Sequence, residues 1–215
     1  MILTGSNEFK KIKDSIPLGV NLLAVSKGHK HDSIRKLSGY GQLDFGESRL
    51  QEAILKKIDL SDLTQIRWHF VGTLQKNKVR RVIKEFDFIH SVDSLPLLER
   101  ISRISQEEQK SPNIFLQVKF LDDPNKGGFL KQDLFKSWSK IISLKNINLI
   151  GLMAIPPIVL NSSQRKDLFC ECRNFANHLG LKDCSMGMSK DWQEAIQGGA
   201  TWIRLGSLLF GKRQN

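Results

Sequence analysis

The stretch Leu22-Leu-Ala-Val-Ser-Lys-Gly-His-Lys-His-Asp-Ser-Ile-Arg-Lys-Leu-Ser-Gly-Tyr-Gly-Gln-Leu-Asp-Phe-Gly46 decides the fold. Residues 22–25 form a short apolar run suited to a buried strand, residues 31–38 have the mixed spacing of an amphipathic helix, and residues 43–46 form a second strand-like run. Two short strands joined through a helix make a parallel βαβ unit.

The same unit recurs along the chain. Strands are expected at 22–25, 43–46, 67–71, 88–92, 114–119, 149–153, 184–186 and 202–205, with helices near 31–38, 47–58, 75–85, 95–108, 130–143, 163–178 and 189–197. Eight such repeats predict an α/β fold, a single (β/α)8 TIM barrel over residues 1–215, with an open doubly wound sheet as the alternative. Asp32, Ser61, Ser94 and Ser189 stand where helices should start, and Gly39, Gly180 and Gly198 where they should end. Asp122 to Gly128 is the most loop-like segment.

Composition narrows the classes. The 215 residues are 40% hydrophobic, enough for a full core, yet no apolar run approaches the ~20 residues of a membrane span. The polar start after Met1-Ile-Leu-Thr4 does not resemble a secretory leader, so a cytoplasmic protein with reduced Cys170, Cys172 and Cys184 is expected. The formal charge of +11 favours anionic partners without choosing among them. The basic stretch from Lys76 to Lys84 reads first as a solvated helix face and only second as a nucleic-acid contact, since no aromatic interrupts it. His29, His31 and the cysteines lack zinc-site spacing, and the chain carries no P-loop, dinucleotide fingerprint or HEXXH motif, so no metal is expected. Asn161-Ser-Ser163 is formally a glycosylation acceptor.

In a barrel, residues following the strands gather at one rim. Lys27, after the first strand, would place an amine in a partly dehydrated pocket suited to Schiff-base chemistry, or would simply cap a strand at the surface. Ser185-Met-Gly-Met-Ser189 and Arg204-Leu-Gly-Ser207 follow the last two strands as a phosphate cradle, or as two ordinary glycine turns. Arg204 would be a permanent cation facing an aromatic nitrogen or a carboxylate, or a partner in a surface ion pair. His69, between Trp68 and Phe70, reads more readily as a satisfied core histidine than as a catalyst.

At these residues the chain resembles the YggS/PROSC family of pyridoxal phosphate homeostasis proteins over nearly its whole length. The motifs are Ala24-Val-Ser-Lys27, Phe45-Gly-Glu47 with Gln51-Glu52, Trp68-His-Phe-Val-Gly-Thr-Leu-Gln75 with Asn77-Lys-Val79, Ile89-His-Ser-Val-Asp-Ser94, Leu116-Gln-Val118, Gly151-Leu-Met153, Ser185-Met-Gly-Met-Ser189, and Arg204-Leu-Gly206 with Phe210-Gly211. The resemblance implies a barrel like the N-terminal domain of alanine racemase, binding pyridoxal 5′-phosphate (PLP) as an internal aldimine on Lys27. It implies that Ser189, Gly206 and Ser207 hold the phosphate and Arg204 faces the pyridine nitrogen, with Met153 and His69 completing the cofactor-binding set and no residue assigned to catalysis. Ser48 stands where the family usually has asparagine, which is expected to weaken cofactor contacts. Gly28 replaces a larger residue after the lysine, which is expected to loosen the loop.

An arginine opposite the ring nitrogen does not protonate it and leaves the ring a poor electron sink. Racemases of this type add a tyrosine from another domain, whereas the only tyrosine here is Tyr40, expected in a loop before the second strand. The expected role is therefore a PLP carrier with little or no turnover, more readily monomer than dimer, with PLP and amino acids as partners and apo-PLP enzymes as acceptors. The alternatives are a weak amino-acid racemase and, less favoured, a basic nucleic-acid-binding protein.

Overall fold

A computed structural model of the chain describes residues 5–121, 123 and 126–211. The reading of Met1 to Thr4 as no leader, and part of the 122–128 loop, lie outside the described residues.

The helix α1 (Ser6–Asp14) precedes β1 (Asn21–Val25), α2 (His31–Gly39), β2 (Asp44–Glu47), α3 (Leu50–Asp59) and β3 (Arg67–Phe70). A 3-10 turn (Lys76–Lys78) leads into α4 (Val79–Glu85), then β4 (Phe88–Val92), α5 (Leu95–Glu107) and β5 (Asn113–Lys119). The chain continues through β6 (Phe129–Leu130), α6 (Lys131–Lys136), α7 (Trp138–Ser143), β7 (Asn148–Met153), α8 (Ser162–His178), β8 (Asp183–Met188), α9 (Trp192–Gln197), β9 (Trp202–Leu205) and α10 (Ser207–Phe210). Eight strands pair in parallel in the order β1-β2-β3-β4-β5-β7-β8-β9, and β9 pairs back to β1, so the sheet closes into the expected barrel. The two-residue β6 only extends β5.

Closure explains why β1 is apolar on both faces. Leu22 and Ala24 of β1 pack outward into the helix layer, while Leu23 and Val25 point inward against Phe88, Phe115, Met153 and Trp202. On α5, Leu97, Leu98, Ile101 and Ile104 form the buried stripe, and Pro96 sits in the first turn where its missing N–H costs nothing.

Several local expectations are corrected. Asp32 lies inside the first turn of α2, whose N-cap is Lys30, and no helix follows Ser61. Ser94 holds the N-cap position of α5, but its hydroxyl donates to Asp93 Oδ1 (3.2 Å) instead of capping the helix. Ser189 does not start α9; Asp191 does, accepting the Met188 amide at 2.6 Å. Gly180 has the expected left-handed φ (+72°), but after α2 and α9 that conformation falls to Gly41 and Gly199 rather than to Gly39 and Gly198. Asn161 is the N-cap of α8: its side chain accepts the Gln164 amide (2.9 Å) and the Gln164 side chain accepts the Asn161 amide (3.0 Å). The expected 130–143 helix is broken at Ser137 into α6 and α7.

The basic stretch is knitted to α5. Arg80 pairs with Glu107 and Glu108, Lys84 with Glu108, and Arg81 with Glu85, which reduces the charge this face presents to a phosphate backbone. No helix among the described residues is long and apolar enough to cross a membrane.

The packing of β7 against β8 leaves no room for a side chain at Gly151, where a Cβ would stand 2.1 Å from the Asp183 carbonyl oxygen. Gly151→Ala is therefore expected to force these strands apart and lower stability by about 2–3 kcal/mol, measured by denaturant unfolding; an unchanged midpoint would contradict this close approach.

Candidate cofactor site

The carboxy-terminal ends of β1, β8 and β9 enclose a cavity of about 670 Å³, walled on one side by Ile155, Pro156, Pro157 and Ile158 of the β7–α8 loop. Lys27, Ser189, Arg204, Gly206 and Ser207 all line it. The strand geometry explains how. Val25 faces the interior, Ser26 turns outward, and Lys27 returns to the cavity side, half-buried.

Two members of the expected set do not line this cavity. Met153 is buried in the interior cluster with Leu23, Phe88, Phe115 and Trp202. His69 sits in mid-strand, a full layer below the rim, fully buried and stacked on Phe88 with ring centroids 4.0 Å apart. It is a satisfied core histidine and not a lining residue, because strand register, and not nearness to a motif, sets its depth in the barrel. Ser48 does not line the cavity either; its backbone carbonyl lies where a Cβ on residue 72 would be, which is why Gly72 is a glycine.

His69 belongs instead to a hydrogen-bonded row that crosses the barrel and ends on Arg204. Arg204 Nη1 donates to the Ser185 carbonyl (2.5 Å) and to Ser185 Oγ (2.9 Å), and Nη2 donates to the Ala154 carbonyl (3.2 Å). Ser185 Oγ lies 2.8 Å from His90 Nδ1, His90 Nε2 lies 3.0 Å from His69 Nδ1, and His69 Nε2 lies 2.9 Å from Asp44 Oδ1. Asp44 in turn accepts from Arg67 at 2.6 Å. The end groups fix every tautomer. The Asp44 carboxylate can only accept, so His69 donates from Nε2 and accepts at Nδ1; His90 then donates from Nε2, and Ser185 donates its hydroxyl to His90 Nδ1. His90 and Ser185 entered the sequence reading only inside longer motifs, and neither they nor Asp44 were given this role; polar residues at inward positions of the strands were the signal available.

The electrostatics agree with this direction. Burial pushes His90 well below the ordinary histidine value, with His69 and Arg204 adding to the effect. Burial also lowers His69, against the opposing pull of Asp44, so both rings are neutral. Burial drives Asp44 upward, but the hydrogen bonds from His69 and Arg67 outweigh it and leave its carboxyl below the usual range. Arg204 is brought down by burial to about 10, which still leaves it a cation at neutral pH.

At the opposite corner, Ser189 Oγ accepts the amides of Gly206 (3.3 Å) and Leu208 (3.4 Å), so a hydroxyl and two backbone donors meet beside Ser207. Gly206 is confined: a Cβ there would stand 3.2 Å from the Val25 carbonyl. One cavity thus combines an amine, a buried guanidinium and a donor-rich corner. This is the donor set that a phosphorylated aromatic aldehyde requires.

The family model described as alanine racemase, N-terminal domain, matches residues 6–214. A protein named pyridoxal phosphate homeostasis protein from Synechocystis sp. is 42% identical, covering 95% of this chain and 97% of its own. The structure of PipY from Synechococcus elongatus with PLP bound superposes with a TM-score of 0.92 at 42% identity, over 96% of this chain and 99% of that one; its form without PLP gives 0.94 and 43% over the same shares. Alanine racemase from Clostridium difficile shares the fold at 15% identity, with a TM-score of 0.71 over 97% of this chain and 56% of that one.

Two buried neutral histidines carry a pH dependence. Their folded values lie below the unfolded value of about 6.5, so the unfolded chain binds more protons below that pH and stability falls as the solution is acidified. Denaturant unfolding at pH 7, 6 and 5 is expected to show stability falling below pH 6.5, by at most about 1.4 kcal/mol per pH unit from His90 and by less from His69, which Asp44 partly offsets. A flat profile would mean that the rings do not stay neutral.

Proposed function

The chain belongs to the alanine racemase N-terminal-domain family, and from that premise and the rim geometry we propose that it is a PLP-binding protein of intracellular vitamin B6 homeostasis, with Lys27 as the lysine that carries the cofactor and little or no catalytic turnover. The observation that carries this reading is the meeting of Lys27, Arg204 and the Ser189–Gly206–Ser207 corner in one cavity. When bound, PLP supplies an aldehyde carbon that condenses with a primary amine and a ring whose acidity depends on what faces its nitrogen. In this reading Lys27 supplies the amine, Ser189, Gly206 and Ser207 hold the phosphate, and Arg204 faces the ring nitrogen.

The low turnover follows from Arg204. Its cation is fixed by Ser185 and Ala154 and stays charged at neutral pH, so it orients a ring nitrogen without giving it a proton. Tyr40 offers no second base at this cavity, because it packs beside Phe9, 6.1 Å between ring centroids. Met153 and His69 support the site from below, through the apolar floor and the row to Arg204 respectively. The reading takes residues 1–215 as one domain, a cytoplasmic monomer with amino acids as further partners, releasing PLP to apo-enzymes.

Intact and peptide mass analysis after PLP addition and borohydride reduction is expected to find one pyridoxyl label, on Lys27, absent from Lys27→Ala. A wild-type chain unlabelled at Lys27 would sink the proposal. Deletion of the gene is expected to disturb vitamin B6 and amino-acid pools; unchanged pools would remove the homeostatic role while leaving the binding site.

A further inference from the structure

Behind the loop that carries Lys27, on the side away from the cavity, lies a buried cluster of charge. The ammonium of Lys56 on α3, with a side chain only 7% exposed, donates to Glu47 Oε1 (2.6 Å), Glu52 Oε1 (2.7 Å) and the Ser26 carbonyl (2.9 Å). All three of its N–H groups are thereby used. Glu47 Oε1 also accepts the Ser26 hydroxyl (2.7 Å), and Glu52 Oε1 accepts the Gly28 amide (2.6 Å). The residues immediately before and after Lys27 are thus tied to one cluster. The turn is closed from within as well, since His29 donates its amide to the Ser26 carbonyl (3.0 Å) and Gly28 adopts a φ of +76° that favours glycine. The residue expected to loosen the loop is the one through which it is fastened.

Stability alone does not account for this arrangement. Two carboxylates share one ammonium, Glu47 is fully buried, and its Oε2 has no hydrogen-bond partner among the described residues. Replacing a buried ion pair by apolar residues of similar size is often neutral or stabilising in proteins. What the ionic cluster provides, and an apolar one could not, is directional hold on two specific backbone groups.

We propose that Lys56, clasped between Glu47 and Glu52, is a positioning residue for Lys27: the cluster fixes the backbone on both sides of that lysine so that its amine meets an incoming aldehyde carbon without searching for its orientation. The assignment rests on the reading of Lys27 as the cofactor-carrying lysine. In the step concerned, the neutral Lys27 amine adds to the aldehyde carbon, a C=N double bond replaces the C=O double bond, and the carbonyl oxygen leaves as water with the two amine hydrogens. Misplacement of a reacting group by about 1 Å costs on the order of a hundredfold in rate, so a partial loosening should be readily measured.

The test compares Glu52→Ala, which removes the acceptor of the Gly28 amide, with Glu52→Gln, which keeps one, and adds Lys56→Met where that variant folds. Three quantities are read: amide hydrogen exchange at Gly28 without ligand, the rate of Lys27 modification by PLP, and the affinity for pyridoxine 5′-phosphate, which lacks the aldehyde. For Glu52→Ala we expect Gly28 exchange and Lys27 modification to change by about tenfold or more, faster and slower respectively, with pyridoxine 5′-phosphate affinity unchanged and Glu52→Gln recovering most of the rate. A Glu52→Ala variant that labels Lys27 at the wild-type rate overturns the positioning role. So does a loss of rate matched by an equal loss of pyridoxine 5′-phosphate affinity, which would mean general damage. Failure to label Lys27 in the unaltered chain overturns the cofactor reading itself, and the assignment with it.

Discussion

The parallel pairing of β9 with β1 is the constraint on which everything else depends. Leu23 lies opposite Arg204 and Ala24 opposite Leu205, so the first and last strands of the barrel are held in one register. That register places the half-buried Lys27 beside Gly206 and Ser207, and puts the guanidinium of Arg204 on the same cavity. Without closure, these groups would stand at the two edges of an open sheet.

Closure creates a second problem, since the interior it encloses contains His69, His90, Ser185 and Arg204 among Phe88, Phe115 and Trp202. Buried polar groups are tolerable only when each finds a partner. The interior meets this by a row in which Ser185, His90 and His69 each give and receive, between a cation that only donates at one end and a carboxylate that only accepts at the other. Aromatic faces fill the space around the rings; His90 stacks on Phe115 at 4.3 Å. The row and the apolar packing are therefore complementary parts of one core.

The strands were legible because most are short runs dominated by apolar residues between turn signals, and their ends pointed to the five residues that share the cavity. The helix α1 was not, because its buried Phe9 stands among five charged neighbours that read as a polar terminus. Ser94 marks the start of α5 as read, but its hydroxyl is drawn to Asp93 instead of capping, and Ser189 starts no helix because its hydroxyl serves the amides of Gly206 and Leu208. The reading of His69 as a satisfied core histidine matches its burial, whereas its place in the cofactor-binding set came from the resemblance alone and not from its strand. Lys56 was invisible in the sequence. Within Lys56-Lys57 it reads like a solvated pair, and only the packing of α3 on β1 and β2 shows that one of the two turns inward.

The joining of first and last strands also has a consequence for how the protein is made. Lys27 is synthesised before the groups that complete the cavity, Ser189 through Ser207, which follow it only after most of the barrel. A nascent chain therefore has no assembled pocket and can draw no stabilisation from the ligand while it is being built. Ligand stabilises only the state that binds it, so its whole contribution arrives at the end, and occupancy serves as a report that the barrel has closed.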